Sequence, residues 1–375
     1  MESRELSLFL KRHTLKPEAD VGGDVTRRFA MNHVGRMIAA AQQDRSIRLY
    51  DARNCEEMQR IQDDVLCTSI AFSPKGDILA TGSVGRVIKL WDIREGTPIT
   101  TLEGHTYPVL GLSFSPDGDH LVSASGDTTL IIWDMNSLKQ AHQLKGHSLY
   151  VVSCDWDPQG NRIVSSSVDS AICEWDPNTG ALQHRHEEHR TAVQSVRFSR
   201  DGSRLASASS DHSVILWDST DSLKVEKKLL GHEEEVRAAS FSYDGRYLAS
   251  GSADKDLFVW SVDTYSIEGE GTTPSEVDGI EWYPDTLAFL SSDGTGSIVR
   301  WEVQKLNAML EPFNELLREI ESDPTLARKD ELILKYEDLV SQYDEESLRD
   351  KRLFYVNWQC KKALDLLKGK TRGTT

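Results

Sequence analysis

An aromatic residue returns along this 375-residue chain with a beat that leaves few folds open. Tyr50, Trp91, Trp133, Trp175, Trp217, Trp260 and Trp301 are separated by 41, 42, 42, 42, 43 and 41 residues. A second series, Phe72, Phe114, Trp156, Phe198, Phe241 and Trp282, keeps the same step. A fixed period of this length marks repeated units, each packing only on its neighbours. Within residues 102–134, LEGHTYPVLGLSFSPDGDHLVSASGDTTLIIWD, the segments VLGLSFS, LVSAS and TTLIIWD alternate as strands between Gly and Asp turns. SLKQAHQLK then reads as a fourth, outer strand. Seven such units over residues 4–302 predict seven four-stranded sheets closed into an all-β propeller.

The ring must also be closed, because open sheet edges invite aggregation. The last unit has three strands and then turns helical. At the start, Leu10-Lys11-Arg12-His13-Thr14 echoes Leu102-Glu103-Gly104-His105-Thr106. Residues 4–12 are therefore expected to give blade seven its outer strand. KPEADVGGD reads as a loop holding the nine surplus residues of unit one.

The opening Gly-His (Gly104-His105, Gly146-His147, Gly231-His232), the FSPDG turn and the closing Trp-Asp resemble the WD40 repeat family. The resemblance implies a hydrogen-bonded tetrad in each standard repeat. Its members are His105, Ser123, Asp127 and Trp133 in blade three, and His147, Ser165, Asp169 and Trp175 in blade four. Blade five has His189, Ser207, Asp211 and Trp217, and blade six His232, Ser250, Asp254 and Trp260. The chemistry suits such a chain, since Trp only donates, Asp accepts, and Ser and His do both. Buried, it is tolerated only when fully satisfied. Three units depart from the pattern. Unit one has Tyr50 for Trp but keeps Asp44. Unit two has Asp63 for the His and Gly85 for the Asp. Unit seven has Thr273 for the His, and its Asp293 lies two residues too far from Trp301. These units meet at the seam, where the ring is expected to be softest.

The resemblance also implies where partners are met. The loop before each inner strand and the turn between the second and third strands share one face. The family's contact positions fall at Leu66, Thr68, Val84, Pro108, Leu110, Gly126, Tyr150, Val152 and Val168 in blades two to four. In blades six and seven they fall at Glu235, Arg237, Glu276 and Asp278, and in blade one at Val25 and Arg27. The first arc is apolar with Tyr150 as its anchor, and the second is acidic with one Arg. A peptide with an apolar side chain and a neighbouring Lys or Arg matches both arcs. The alternative is that these are ordinary loop residues.

A recurring Ser, His and Asp invites comparison with a hydrolytic triad. Catalysis needs one special constellation, whereas four copies tied to a Trp read as structural. His184, His186 and His189 have a spacing seen in metal sites, but His189 belongs to a tetrad. The glycines follow turns and form no phosphate cradle. No cofactor and no metal are expected. The net charge of −17 argues against a sequence-independent grip on nucleic-acid phosphates.

Five cysteines, Cys55, Cys67, Cys154, Cys173 and Cys360, make no CxxC pair and read as reduced thiols. LSLFL is too short for a secretion signal, and no run reaches the length of a membrane span. A soluble cytoplasmic protein is the expectation. Two charges stand oddly before the closing aromatic, Glu174 and Arg300, where other units have Leu49, Leu90, Ile132, Leu216 and Val259. Burying either one unpaired is costly, so each is expected to reach a rim or a local partner.

After Trp301 the period changes. Leu306, Leu310, Phe313, Leu317 and Ile320 step by four and three, with Pro312 among them. Leu332, Tyr336, Leu339 and Tyr343 make a second helical face, and Leu353, Val356, Cys360, Ala363 and Leu367 a third. Residues 303–375 are thus expected to form an α-helical extension of about three helices that caps the propeller, oligomerises or docks a partner. The chain as a whole reads as a non-catalytic protein–protein interaction scaffold, within a larger complex. The alternatives are a hydrolase using an acidic propeller face and a reader of basic histone-like or ribosomal tails.

Overall fold

The computed structural model describes residues 9–15, 29–32, 37–284 and 287–304, together with Lys335, Tyr336 and Asp338. The chain divides into two compact units, Arg12–Glu302 and a second formed by Met1–Lys11 with Val303–Thr375. The first is all β. Its strands lie in seven four-stranded sheets arranged as a propeller. Blades one to six occupy residues 29–62, 67–103, 109–145, 151–186, 193–230 and 236–272. Blade seven joins Val277–Trp282, Ala288–Asp293 and Ile298–Gln304 to the strand Phe9–Leu15, which is outermost. That strand ends three residues beyond the expected boundary. Residues 4–8, Val25, Arg27 and the KPEADVGGD loop lie outside the described residues.

Each strand's burial follows from its place in the blade. The third strand of blade three, Thr129–Asp134, is buried along nearly its whole length, because a neighbouring blade covers each face of the sheet. The outer strand Lys139–Lys145 is mostly exposed and correspondingly polar. The core therefore lies between blades. Ala206, Val214 and Leu216 of blade five pack with Val236, Phe241, Leu248 and Trp260 of blade six. Each large apolar side chain buried there contributes about 2 kcal/mol.

One irregularity repeats. In blades two to seven the first strand slips by one residue against the second, and the skipped residues are Thr68, Leu110, Val152, Gln194, Arg237 and Asp278. A bulge of this kind leaves its extra residue out of the ladder and re-aims its side chain. Five of the six, Leu110, Val152, Gln194, Arg237 and Asp278, line one cavity shared by the inner strands, the central channel.

Of the stretch expected to be helical, Lys335, Tyr336 and Asp338 have helical backbone. The rest, including Pro312 and Cys360, lies outside the described residues.

Candidate functional site

The polar chains of blades three to six explain why their residue types recur. In blade three Trp133 Nε1 donates to Ser123 Oγ at 2.9 Å, Ser123 Oγ lies 2.7 Å from His105 Nε2, and His105 Nδ1 lies 2.8 Å from Asp127 Oδ2. The corresponding distances are 2.8, 2.8 and 3.0 Å through Trp175, Ser165, His147 and Asp169. They are 2.9, 2.7 and 3.2 Å through Trp217, Ser207, His189 and Asp211. In blade six, through Trp260, Ser250, His232 and Asp254, they are 2.8, 2.8 and 3.1 Å.

The aspartate has two tasks. Asp127 Oδ1 accepts from Thr129 N, holding the turn in which Thr128 adopts φ 71°. Its Oδ2 takes His105 and the Thr106 amide. Burial pushes the Asp127 carboxyl up, but the hydrogen bonds from His105, Thr129 and Thr106 outweigh it and hold the group well below the ordinary range. An ionised Asp accepts only, so His Nδ1 must donate. Nε2 then accepts the Ser proton, and Ser oxygen accepts from Trp. In blade six burial also holds His232 below its ordinary value, against the pull of Asp254.

Ser123, Ser165, Ser207 and Ser250 are each 0% exposed. Substrate has no route to them, which removes the physical basis of a triad. The other histidines of residues 184–189 are also engaged. His186 Nε2 lies 2.7 Å from Glu174 Oε1, and its ring faces His184 at 6.2 Å. Among the described residues, no group of three or more His, Cys, Asp or Glu is placed to hold a metal ion.

The three departing blades replace the tetrad in different ways. In blade two Trp91 Nε1 donates to Thr81 Oγ1 at 2.9 Å, while Lys89 reaches Asp63 at 2.5 Å and also pairs with Asp64. In blade one Tyr50 stands opposite Ile38 and packs in a cluster with Met31 and Ala40, and the buried Arg48 lies 3.9 Å from Asp44 and 3.6 Å from Glu57. Both cations stand two residues before the closing aromatic, a position held by Ile131, Cys173 and Ile215 in blades three to five. Blade seven keeps the Trp301 to Ser291 bond at 2.8 Å. Its fully buried Asp293 accepts from Thr295 and Ser297 through Oδ1, and Oδ2 is left without a hydrogen-bond partner.

Glu174 is buried, 1% exposed, and its partners are local. Besides His186 it meets Arg162 Nη1 at 3.3 Å and the Leu223 amide of blade five at 3.3 Å. Arg162 in turn donates to Ser219 O at 2.7 Å and Asp221 O at 3.1 Å, so the cluster clasps blade four to blade five. Arg300 stacks over Tyr283 at 4.9 Å and pairs with Glu302 at 3.5 Å.

On the face that carries the loops before the inner strands, the nine positions of the apolar arc separate. Val84, Tyr150 and Val168 are exposed. Leu66, Pro108, Leu110 and Val152 are half-buried. Thr68 Oγ1 donates to Val109 O of the next blade at 2.5 Å. Gly126 is buried because the Tyr107 ring lies over it, where any side chain would collide. Tyr107 and Leu149 also belong to this arc, at 47% and 49% exposure, and sequence reasoning missed them. They stand two residues after the tetrad His, where blades five and six have Thr191 and Glu234. A large apolar residue in a polar loop was the available signal. Tyr107 and Tyr150 pack ring against ring with centroids 5.5 Å apart, and the Tyr107 hydroxyl holds the Tyr150 phenol above its ordinary value.

The acidic arc is clamped from within. Arg237 Nη1 lies 2.5 Å from Glu276 Oε2 and 2.8 Å from Asp278 Oδ1, with Glu235 Oε2 3.9 Å from its Nε. Asp278 is buried, while Glu235 and Glu276 keep part of their carboxylates in solvent.

Seven blades, four of them pinned by a Trp–Ser–His–Asp chain, with variable loops gathered on one face, define the WD-repeat class of propeller. The family model for the WD domain, G-beta repeat (WD40), matches residues 59–92, 96–134, 138–176, 180–218 and 223–261, together half of the chain. The chain belongs to the WD40 family. Among similar proteins is the U5 small nuclear ribonucleoprotein 40 kDa protein of Dictyostelium discoideum, 37% identical over 70 residues, 18% of this chain and 20% of the relative. The probable serine/threonine-protein kinase PkwA of Thermomonospora curvata is 39% identical over 56 residues, 15% of this chain and 8% of its own. The general transcriptional corepressor TUP1 of Saccharomyces cerevisiae is 34% identical over 62 residues, 16% of this chain and 9% of its own. The matches thus span a fifth or less of these relatives. Among the described residues no helix is long and apolar enough to cross a membrane.

Proposed function

We propose that this protein is a non-catalytic interaction scaffold that binds a peptide segment of a partner on the loop face of blades two to four. The observation that carries the reading is the exposed Tyr107–Tyr150 pair, flanked by Leu149, Val84 and Val168. Packed aromatics rimmed by polar loops form the anchors that dominate binding energy at interfaces. The partner segment presents an apolar side chain to this pair. A basic residue further along reaches the exposed parts of Glu235 and Glu276. Because Arg237 already compensates much of that acid group, the aromatic pair makes the larger contribution. Relatives named as a ribonucleoprotein component and a corepressor favour work within a larger complex, and the tail beyond residue 302 is read as a second docking or oligomerisation element.

The test is affinity capture with the full-length chain, comparing wild type, Tyr107→Ala with Tyr150→Ala, and Glu235→Lys. The double tyrosine variant is expected to lose partners while keeping its melting temperature. Glu235→Lys is expected to weaken capture about tenfold or less, as rim charges do. Unchanged capture by a folded double variant would sink the reading.

A further inference from the structure

The face opposite those loops carries the turns between the first and second strands, and there two neighbouring blades break the pattern. Blades two to four have Pro74, Pro116 and Pro158 in that turn, whereas blade five has Arg200 and blade six has Tyr243. In blades three and four the turn leans on the one before it. A methyl group placed on Gly118 would lie 3.5 Å from Pro74 Cδ, and one on Gly160 3.8 Å from Pro116 Cδ. At Gly245 of blade six it would meet nothing within 4 Å. The seam between blades five and six is therefore open at this face.

A cleft of about 410 Å³ lies on this face across blades five, six and seven, and mostly buried Phe198, Phe241 and Trp282, one from each, are among the residues that line it. That is room for a bulky side chain and its neighbours. At the mouth the Arg200 guanidinium stacks on Tyr243, 3.4 Å from the ring centroid, with Tyr243 42% exposed. Arg197 lines both this cleft and the central channel. Glu281 lines it too. The turn carboxylates are directed inward. Asp201 accepts from Ser199 and Ser203, and Asp244 from Ser242 and the Arg246 amide. Blade three has the same arrangement in Asp117 and Ser115, so these acids are common background. What distinguishes the cleft is an exposed arginine held flat by an aromatic ring, on a protein of net charge −17.

The geometry points to a second docking site in this cleft, for an extended partner segment that carries a bulky apolar side chain beside a carboxylate. The apolar side chain enters between Phe198, Phe241 and Trp282. The carboxylate pairs with Arg200, whose planar fork suits two-pronged recognition.

The test uses fluorescence anisotropy of three labelled synthetic dodecapeptides on the full-length protein. One has Phe flanked by Asp and Glu, the second has Phe flanked by Lys, and the third keeps the acids with Ala for Phe. The first is expected to bind at least about tenfold more tightly than the others. Arg200→Glu, and separately Tyr243→Ser, should weaken it about tenfold or more, whereas Tyr150→Ala should leave it unchanged. Both sites are on exposed turns, and melting curves check the fold of each variant. Four outcomes overturn the site: no saturable binding up to about 1 mM, preference for the Lys peptide, loss of binding on Tyr150→Ala, or a change in sedimentation of the isolated protein on Arg200→Glu. The last would mean that a second copy fills the cleft. Failure here leaves the loop-face reading untouched, because that rests on Tyr107 and Tyr150.

Discussion

Ser207 serves two partners at once, Trp217 as donor and His189 as acceptor, and it is fully buried. Ser207→Ala therefore orphans two groups and is expected to cost about 3 kcal/mol, read as a drop in urea midpoint. Ser291 serves Trp301. Ser291→Ala should cost about 1 kcal/mol. Equal losses would show that the longer chain adds nothing. The same chains set the acid response. Since His232 titrates below its ordinary 6.5, the unfolded chain takes up that proton first. Its contribution is full above about pH 6.5 and is lost as pH falls toward the folded value. Asp127, Asp169 and Asp211 are also depressed, so their contributions are full above 3.8 and fail as pH drops below that. Melting temperature should decline in two steps on acidification, and His232→Asn should flatten the upper one. A rise in melting temperature between about pH 7 and 5 would contradict this. At this scale the tetrad residue types were readable from their recurrence. Lys89 and Arg48 were not read as compensating cations, because a charge on a strand has meaning only once its neighbour across the blade is known.

At the scale of the element, the clasp at Glu174 holds a third strand, an outer strand and the next blade together. Removing one member of a buried, hydrogen-bonded charge cluster leaves the others uncompensated. Glu174→Ala is expected to cost about 3 kcal/mol and to speed hydrogen exchange at the Leu223 amide. Exchange there at the wild-type rate would show that the contact does not join the blades. The bulges belong to this scale too. Alternation in VLGLSFS gives a strand, but it does not tell which residue is squeezed out of register. The slip that aims Leu110, Arg237 and Asp278 at the channel arises where one strand of a twisted blade must curve around the axis.

Across the whole ring, the polar chains are unequal. Blades three to six hold four-membered chains, while blades seven, one and two hold shorter chains or ion pairs. Amides of those three blades should exchange faster than those of blades three to six, as measured by exchange with mass spectrometry. Uniformly slow exchange in all seven would refute the idea of a soft seam. The period determined the number of blades, and the alternation and turns inside each unit determined its strand count, because repeated units must bury the same face the same way. Tertiary structure alone decided which variable residues meet. Tyr107 and Tyr150, or Arg200 and Tyr243, are each 43 residues apart in the chain and become neighbours only because successive blades stand side by side around one axis. Their chemistry as partners was invisible until the ring closed.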